Sequence, residues 1–257
     1  MAIWGDYHTH TLYSHGKGTV EDNVKQAVEL GLKEIAITDH GFRHVMFNVR
    51  RSVFHNVIKE VEDARKKYPQ INIYLGLETN LVSRKGGVDL IESDKDILDM
   101  VVCGYHKLVK PDFFADYWKV FIPNMYESIT KKSSLKVKNR NTDMYLRAIE
   151  RHEIDILSHP NNGINADVIE VGKACKFYGT YMELNGKGNH MTDEELEKLV
   201  GMGVQFIANS DAHEPERVGE ISKPLEIIER VGIPYEQIGN WEKLPKFRSR
   251  IKKKLYE

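Results

Sequence analysis

The chain has 257 residues, of which 41% are hydrophobic and 29% are charged, a composition typical of an ordinary globular protein with one large α/β domain or two small ones. Lys and Arg (37) nearly balance Asp and Glu (38), so the net charge of −1 predicts neither a nucleic acid nor a membrane surface as partner. The sequence contains no apolar run of about 18 residues and no basic amino-terminal segment followed by an apolar one, so neither a membrane span nor a signal peptide is expected.

Two cysteines are too few for a disulfide framework. Cys103 and Cys175 both have apolar sequence neighbours, which favours buried free thiols in a reducing compartment. A cytoplasmic location is therefore expected.

Short apolar runs alternate with helical patterns along most of the chain. The predicted strands are 1–4, 33–38, 71–77, 97–104, 154–157, 180–184 and 204–208. The predicted helices are 19–30, 52–68, 142–151, 166–177, 192–202 and 221–231, with a basic helix from about Glu242 to the end. Two of the helices begin with the spacing of a capping box, Thr19 with Asp22 and Thr192 with Glu195.

Seven alternations of strand and helix predict a parallel sheet with right-handed crossovers, and a closed or nearly closed barrel is the economical arrangement at this length. Residues 107–140 interrupt the pattern and are predicted to form a helix-bearing insertion after the fourth strand. The basic run 131–140 within it is either a solvated face or a lip over an anionic substrate.

Three histidines, His8, His10 and His15, follow the first predicted strand. On a strand, His8 and His10 would point to the same face. Two adjacent imidazoles can form half of a metal site, although such a pair alone is a weak signal.

Further ligand-type residues lie at or just past the carboxyl ends of the other predicted strands: His40, Glu78, His106, His159, Asp211 and His213. In a barrel these ends converge on one face, where active sites are built. Each residue alone has an ordinary structural role available. Seven imidazoles and two carboxylates gathered without a cation would be costly, however, so two or three metal ions are predicted, with Glu78 able to bridge two of them. Four histidines fall outside this pattern: His44, His55, His152 and His190.

Six short motifs together resemble those of the PHP (polymerase and histidinol phosphatase) family: HTH at 8–10, TDHG at 38–41, GLE at 76–78, YHK at 105–107, SHP at 158–160 and SDAH at 210–213. The resemblance extends from Ile3 to about His213 and is greatest to small stand-alone bacterial phosphoesterases. It implies a distorted (β/α)7 TIM-like barrel, formed by residues 1–257 as a single domain, with a trinuclear metal centre.

The resemblance also implies a ligand set for each metal ion. The first set is His8, His10, Glu78 and Asp211, the second is Glu78 as a bridge with His106 and His159, and the third is His15, His40 and His213. Zinc is the expected metal, and iron or manganese would also suit mixed nitrogen and oxygen ligands.

Two neighbouring cations can activate a water and hold it in line with a phosphate ester. The predicted reaction is therefore hydrolysis of a small-metabolite phosphomonoester, with the water at the first metal set, and the resemblance makes L-histidinol phosphate the first substrate to test. The candidate phosphate-binding cations, each of which could also be an ordinary surface residue, are Lys107, Lys187, Arg43 and Arg217. Asp39 is predicted to orient an imidazole from behind.

Two other functions remain open. PHP relatives include nucleases, so a phosphodiesterase acting on nucleic acid or nucleotides is the alternative, although no basic and aromatic track for a strand is evident. A non-catalytic binding module stabilised by its metals is the third possible function.

The sequence lacks a clear pair of loop arginines such as histidinol phosphatases of this family use to bind substrate. Arg140, in the basic stretch, is one candidate for such an arginine. The sequence does not indicate the oligomeric state or whether the insertion is a lid.

Overall fold

The structure is a computed structural model that describes residues 3–249. Its strands are β1 (Gly5–Asp6), β2 (Glu34–Ile37), β3 (Asn72–Ser83), β4 (Gly87–Val88), β5 (Met100–Gly104), β6 (Ile156–Leu157), β7 (Tyr181–Asn185) and β8 (Phe206–Asn209). Seven of them are parallel and lie in the order β1-β2-β3-β5-β6-β7-β8, while β4 pairs antiparallel with the end of β3. The strands therefore form the nearly closed, distorted (β/α)7 barrel that the alternation and the resemblance predicted.

Helices cover the outside of the barrel. They are α1 (Val20–Glu29), α2 (Phe54–Lys67), α3 (Glu92–Ile97), α4 (Phe114–Asp116), α5 (Ile122–Thr130), α6 (Leu135–Arg151), α7 (Val168–Tyr178), α8 (Asp193–Gly201) and α9 (Ser222–Val231), with a π-helical turn at Tyr117–Phe121. Both predicted capping boxes are confirmed, at Thr19 and at Thr192. Both cysteines are buried and free, as predicted. Among the described helices, none combines the length and apolar character that crossing a bilayer requires.

The barrel is closed between β1 and β8 by loop and side-chain contacts. Just past β1, the His10 N–H donates to the carbonyl of Ala212 (2.8 Å). Towards the other end of the seam, the amide of Asn240 donates to the carbonyl oxygens of Gly5 (2.8 Å) and Ala208 (2.6 Å). The segment that follows β1 is thereby held against the segment that follows β8.

The carboxyl-terminal segment fills the end of the barrel at which the strands begin. Phe247 is 1% exposed, and its ring meets that of Tyr7 edge-on with 5.0 Å between the centroids. The backbone N–H and the hydroxyl of Ser249 both donate to Asp155, which precedes β6. The apolar carboxyl-terminal segment therefore occupies one end of the barrel, and the ligand-type residues lie at the opposite end, where the strands finish.

Several predicted boundaries were wrong at the strands. The first strand is Gly5–Asp6 rather than 1–4, of which residues 1 and 2 lie outside the described part. The third strand runs to Ser83 because its end forms a hairpin with β4, so Glu78 lies within the strand and not at its end. The fourth predicted strand begins at Met100, since residues up to Ile97 form α3.

Two predicted helices also differ. The helix expected at 142–151 begins at Leu135, so most of the basic run forms the exposed first turns of α6. Residues 242–247 are irregular rather than helical, because Phe247 must reach into the barrel, and residues 250–257 lie outside the described part.

Replacing Phe247 by alanine should lower the free energy of unfolding by about 3–5 kcal/mol, because the change empties a tightly packed position in the barrel. Urea or guanidinium denaturation measures the loss. Phe177→Ala, at a side chain that is 80% exposed, is the matched control and should cost far less. Equal losses for the two variants would contradict the structural role given to Phe247.

Candidate metal centre

Glu78 lies fully buried at the centre of a cluster of imidazoles. Its Oε2 faces three ring nitrogens at 2.8, 3.4 and 3.6 Å, those of His40, His8 and His10. Its Oε1 faces two more at 2.8 and 3.4 Å, those of His159 and His106. The two oxygens of one carboxylate thus face different groups of imidazoles, as a bridging ligand would.

Asp211 is the second carboxylate of the cluster and follows β8. Its Oδ1 lies 3.3 Å from His10 Nε2 and 3.7 Å from His8 Nε2. The Nδ1 of His213 lies 2.9 Å from the Asp211 carbonyl oxygen and 2.7 Å from the Lys187 ammonium. Asp211 and His159 both have a positive φ, 52° and 29°, a backbone conformation that non-glycine residues adopt only where the surroundings enforce it.

The possible ligand atoms fall into three groups, within each of which they lie within 4.8 Å of one another. These groups are His8, His10 and Asp211; His40, Glu78 and His106; and His10, His40 and His213. The first contains three of the four residues expected for the first metal. His40, expected with the third metal, lies both beside His213 and beside Glu78, and the exposed His15 lies at the outer edge with its ring 4.2 Å from that of His213.

Several of these atoms are buried and make no hydrogen bond within the described residues: His8 Nε2, His10 Nε2, His40 Nδ1 and Glu78 Oε2. Buried polar atoms in folded proteins are normally partnered. Imidazole nitrogens and carboxylate oxygens that converge without hydrogens between them are the donor set of a divalent transition metal, so the residues present fit such an ion.

Burial and mutual charge set the protonation of the cluster. Burial lowers the pKa of His40 and of His213 to about 4, which keeps them in the neutral form that binds metals. Burial alone would raise the pKa of Glu78, but the neighbouring imidazoles outweigh it and hold that pKa well below its usual range. For His8, burial is outweighed by the carboxylates, Glu183 first, and the pKa is raised.

Glu183, in the middle of β7, holds the imidazole of His8 from behind. Its Oε1 accepts from His8 Nδ1 (2.7 Å) and from the amide of Asn209 (3.0 Å). Its Oε2 accepts from the backbone N–H of His159 and the amide of Asn185, both at 2.8 Å. Because Nδ1 carries the proton in the neutral ring, the neutral form of His8 presents its Nε2 lone pair to the cluster. Glu183 lies inside a strand, so the pattern of ligand-type residues at strand ends does not include it, although a carboxylate inside an apolar strand is itself a signal.

Asn80 orients His106 in the same way. Its Oδ1 accepts from His106 Nδ1 at 2.8 Å, and its own amide donates to Asp89 (2.6 Å). The Nε2 of His106 therefore faces Glu78 with a lone pair.

Asp39, predicted to orient an imidazole, reaches one only through Ser14. The Ser14 hydroxyl donates to Asp39 (2.5 Å), so its oxygen can accept from His10 Nδ1 at 3.4 Å. Asp39 also accepts from the backbone N–H and the hydroxyl of Thr11. Its direct contacts thus fix the loop between His10 and His15.

The two lysines considered for phosphate binding lie at different distances from the cluster. Lys187 Nζ lies 2.7 Å from His213 Nδ1 and 3.3 Å from Asp211 Oδ1, within the cluster itself. Lys107 is exposed and donates to the hydroxyl of Ser128 (2.7 Å), at the edge of the insertion.

The arginines considered for phosphate binding have other surroundings. The Arg43 guanidinium pairs with the carboxylate of Asp112, and Arg140 donates to a backbone carbonyl of the insertion. Arg217 is exposed on the 3₁₀ turn Pro215–Arg217. The structure therefore offers Lys187, rather than these arginines, as the cation beside the ligand atoms.

The model of the PHP domain matches residues 6–189. The chain belongs to the PHP family. It is 28% identical to a "Probable phosphatase" of Thermoanaerobacter sp. (strain X514), over 99% of this chain and 98% of the relative, and 29% identical to one of Caldanaerobacter subterraneus subsp. tengcongensis, over 91% and 86%. Its fold resembles a histidinol phosphate phosphatase from Lactococcus lactis, solved with zinc, L-histidinol and phosphate (TM-score 0.62, 16% identity, 96% of this chain and 98% of that one).

His44 is a histidine of this PHP protein that the sequence pattern leaves outside the site and that the structure brings to it. Its ring is 6% exposed, and its centroid lies 5.2 Å from that of His40 and 5.5 Å from that of His106. Phe47 stacks on it at 5.1 Å and on His15 at 4.1 Å. The turns of residues 42–47 have no periodicity that could have predicted this return of the chain.

A cleft of about 440 Å³ lies between the insertion and the loop after β6, and residues next in sequence or hydrogen-bonded to candidate ligands line it. The Asn162 N–H donates to the His159 carbonyl (3.0 Å), and Lys107, which directly follows His106, lines the same cleft. Its other charged and polar lining residues include Ser128, Lys131, Lys132, Asn161 and His190. This volume suits a small metabolite.

Replacing Glu183 by glutamine should weaken metal binding by about 10- to 100-fold. The two carboxylate oxygens of Glu183 accept four hydrogen bonds. A glutamine has only one side-chain oxygen that can accept them, because its amide nitrogen is a donor. Competition with a chelator of known affinity measures the change. Glu226→Gln, on the exposed face of α9, should bind metal as the wild type does, and equal affinity for all three proteins would refute the role of Glu183.

Proposed function

We propose that this protein hydrolyses the phosphomonoester of a small metabolite with the help of two or three bound divalent metal ions, zinc foremost. The observation that carries the proposal is the buried Glu78 carboxylate, whose two oxygens face five imidazoles. The names of the relatives support a phosphatase, and the zinc, L-histidinol and phosphate of the Lactococcus lactis structure make L-histidinol phosphate the first substrate to test.

The residues that would hold the metal ions are those of the cluster: His8, His10, His15, His40, Glu78, His106, His159, Asp211 and His213. Divalent cations held there supply Lewis acidity, which acidifies water and offsets the charge of a phosphoryl group. The cluster's own carboxylates, Glu78 and Asp211, would otherwise repel an anionic substrate.

The side chains around the ligands have separate tasks in this proposal. Glu183 keeps the Nε2 lone pair of His8 directed at the cluster, and Asn80 does so for His106. The Lys187 ammonium, beside Asp211, is placed to pair with a phosphoryl oxygen. The cleft between the insertion and the loop after β6 would hold the leaving group of the substrate.

Water is the nucleophile that this arrangement favours. Cys103 and Cys175 are buried and cannot reach a substrate. Ser158 is fully buried, and its hydroxyl donates a hydrogen bond to Glu78 (3.0 Å), which this proposal makes a metal ligand. The imidazoles are directed at the carboxylates and would be ligands, so direct attack by water on phosphorus needs no covalent intermediate.

Comparison of p-nitrophenyl phosphate with bis-p-nitrophenyl phosphate tests the proposal, and the monoester should be the better substrate. Glu78→Ala should lower its turnover by at least about 10³-fold and release metal, whereas Glu226→Ala should change neither. Circular dichroism establishes that the variants are folded. A preference for the diester would select a phosphodiesterase, and no turnover of either ester by the metal-loaded protein would refute the proposal.

Narrowing the cleft should discriminate between substrates by size. Ser128→Trp places a large ring on its wall and should raise KM for L-histidinol phosphate by about 10-fold or more, because the leaving group loses its space. Inhibition by inorganic phosphate, which has no leaving group, should change little. Met125→Trp, at an exposed position of the same helix, is the control. An unchanged KM in Ser128→Trp would place the leaving group elsewhere.

A further inference from the structure

His44 differs from the other imidazoles of the cluster in how its protons are arranged. The backbone N–H groups of Met46 and Phe47 both donate to its Nδ1, at 3.3 and 3.1 Å. A nitrogen that accepts hydrogen bonds carries no proton, so in the neutral ring the proton is on Nε2. An Nε2–H cannot bind a metal ion, and it can only donate.

The orienting groups behind His8 and His106 impose the opposite arrangement. In each of these two rings Nδ1 faces a side-chain oxygen that accepts its proton, from Glu183 and Asn80 respectively. Their Nε2 atoms therefore present lone pairs to the cluster. The cluster thus contains rings fixed as ligands and, beside them, one ring fixed as a donor.

The loop that carries His44 is built to direct it inward. The N–H of Val45 donates to the carbonyl of Leu108 (2.8 Å), and the N–H of Lys110 donates to the carbonyl of Arg43 (3.0 Å). Val45 is 54% exposed although His44 is buried, so the chain turns its apolar side chain to solvent and keeps the imidazole inside. A loop that merely crossed the surface would not need to expose a valine and bury a histidine.

The Nε2–H of His44 makes no hydrogen bond within the described residues. It is not sealed from solvent, unlike the unpartnered nitrogens of His8, His10 and His40. It therefore lies on an open wall of the site, next to His40 and His106. A phosphoryl oxygen is a strong acceptor with no proton of its own, so an N–H fixed beside the ligand atoms complements it.

We propose that His44 binds the substrate, donating a hydrogen bond from Nε2–H to a phosphoryl oxygen. This assignment rests on the proposed function and extends it. It makes His44 a substrate-binding residue that is not a metal ligand, beside the rings of His40 and His106. Losing a hydrogen bond to a charged acceptor corresponds to a change of about 10- to 100-fold in kcat/KM.

Two variants separate substrate binding from a structural role in the turn. In His44→Asn, the side-chain oxygen can still accept from Met46 and Phe47, but the donor at the ε position is lost. In His44→Gln, the side-chain amide reaches the ε position and can still donate there. The proposal expects His44→Asn to lower kcat/KM for p-nitrophenyl phosphate by about 10- to 100-fold and His44→Gln to keep most of it. His55→Asn, on the exposed face of α2, is the control.

Metal content and the Ki of inorganic phosphate complete the experiment. Full metal content with weaker phosphate inhibition in His44→Asn supports the proposal. Wild-type kinetics in His44→Asn, a larger loss in His44→Gln than in His44→Asn, or loss of metal from both variants would each overturn it. If the wild type hydrolyses no phosphoester, the proposed function fails, and calorimetric titration of the metal-loaded proteins with inorganic phosphate still decides the role of His44: equal affinity in wild type and His44→Asn would overturn it.

Discussion

A buried carboxylate that must be compensated by positive charge determines the arrangement of this protein's polar interior. Glu78 has no exposure to solvent and lies within the longest strand, β3. Removing a carboxylate from water costs several kcal/mol even after relaxation, so the surroundings must supply charge or protons at the same place. The imidazoles that face Glu78, and that would hold the compensating cations beside it, come from the ends of four different strands, which the barrel brings together.

The seam of the barrel between β1 and β8 lies beside the site. Strands β1 and β8 share no continuous ladder, and the contacts that replace it include the hydrogen bond from His10 to Ala212 and those from Ser210 to Asp6. These contacts set His8 and His10 opposite Asp211. A ligand that binds His10 and Asp211 together would also tie the two edges of the sheet, so occupancy of the site and stability of the barrel should be coupled.

The sequence predicted what depends on local pattern and on strand order. The parallel barrel followed from the alternation of elements, both capping boxes were confirmed, and the nine ligand-type residues lie together because the ends of parallel strands converge. It could not predict contacts that depend on how the chain returns. Glu183 was missed because it lies inside a strand, His44 because only the turns of its loop bring it back, and Phe247 because its segment extends into the barrel instead of forming a helix.

The metal content of protein purified without chelator tests the central claim most directly. Elemental analysis by mass spectrometry should find about two to three transition-metal ions per chain, in keeping with the three groups of ligand atoms, and zinc should predominate. A folded, active protein that contains less than one metal ion per chain would contradict the account, because the buried carboxylate of Glu78 would then be compensated by protons alone.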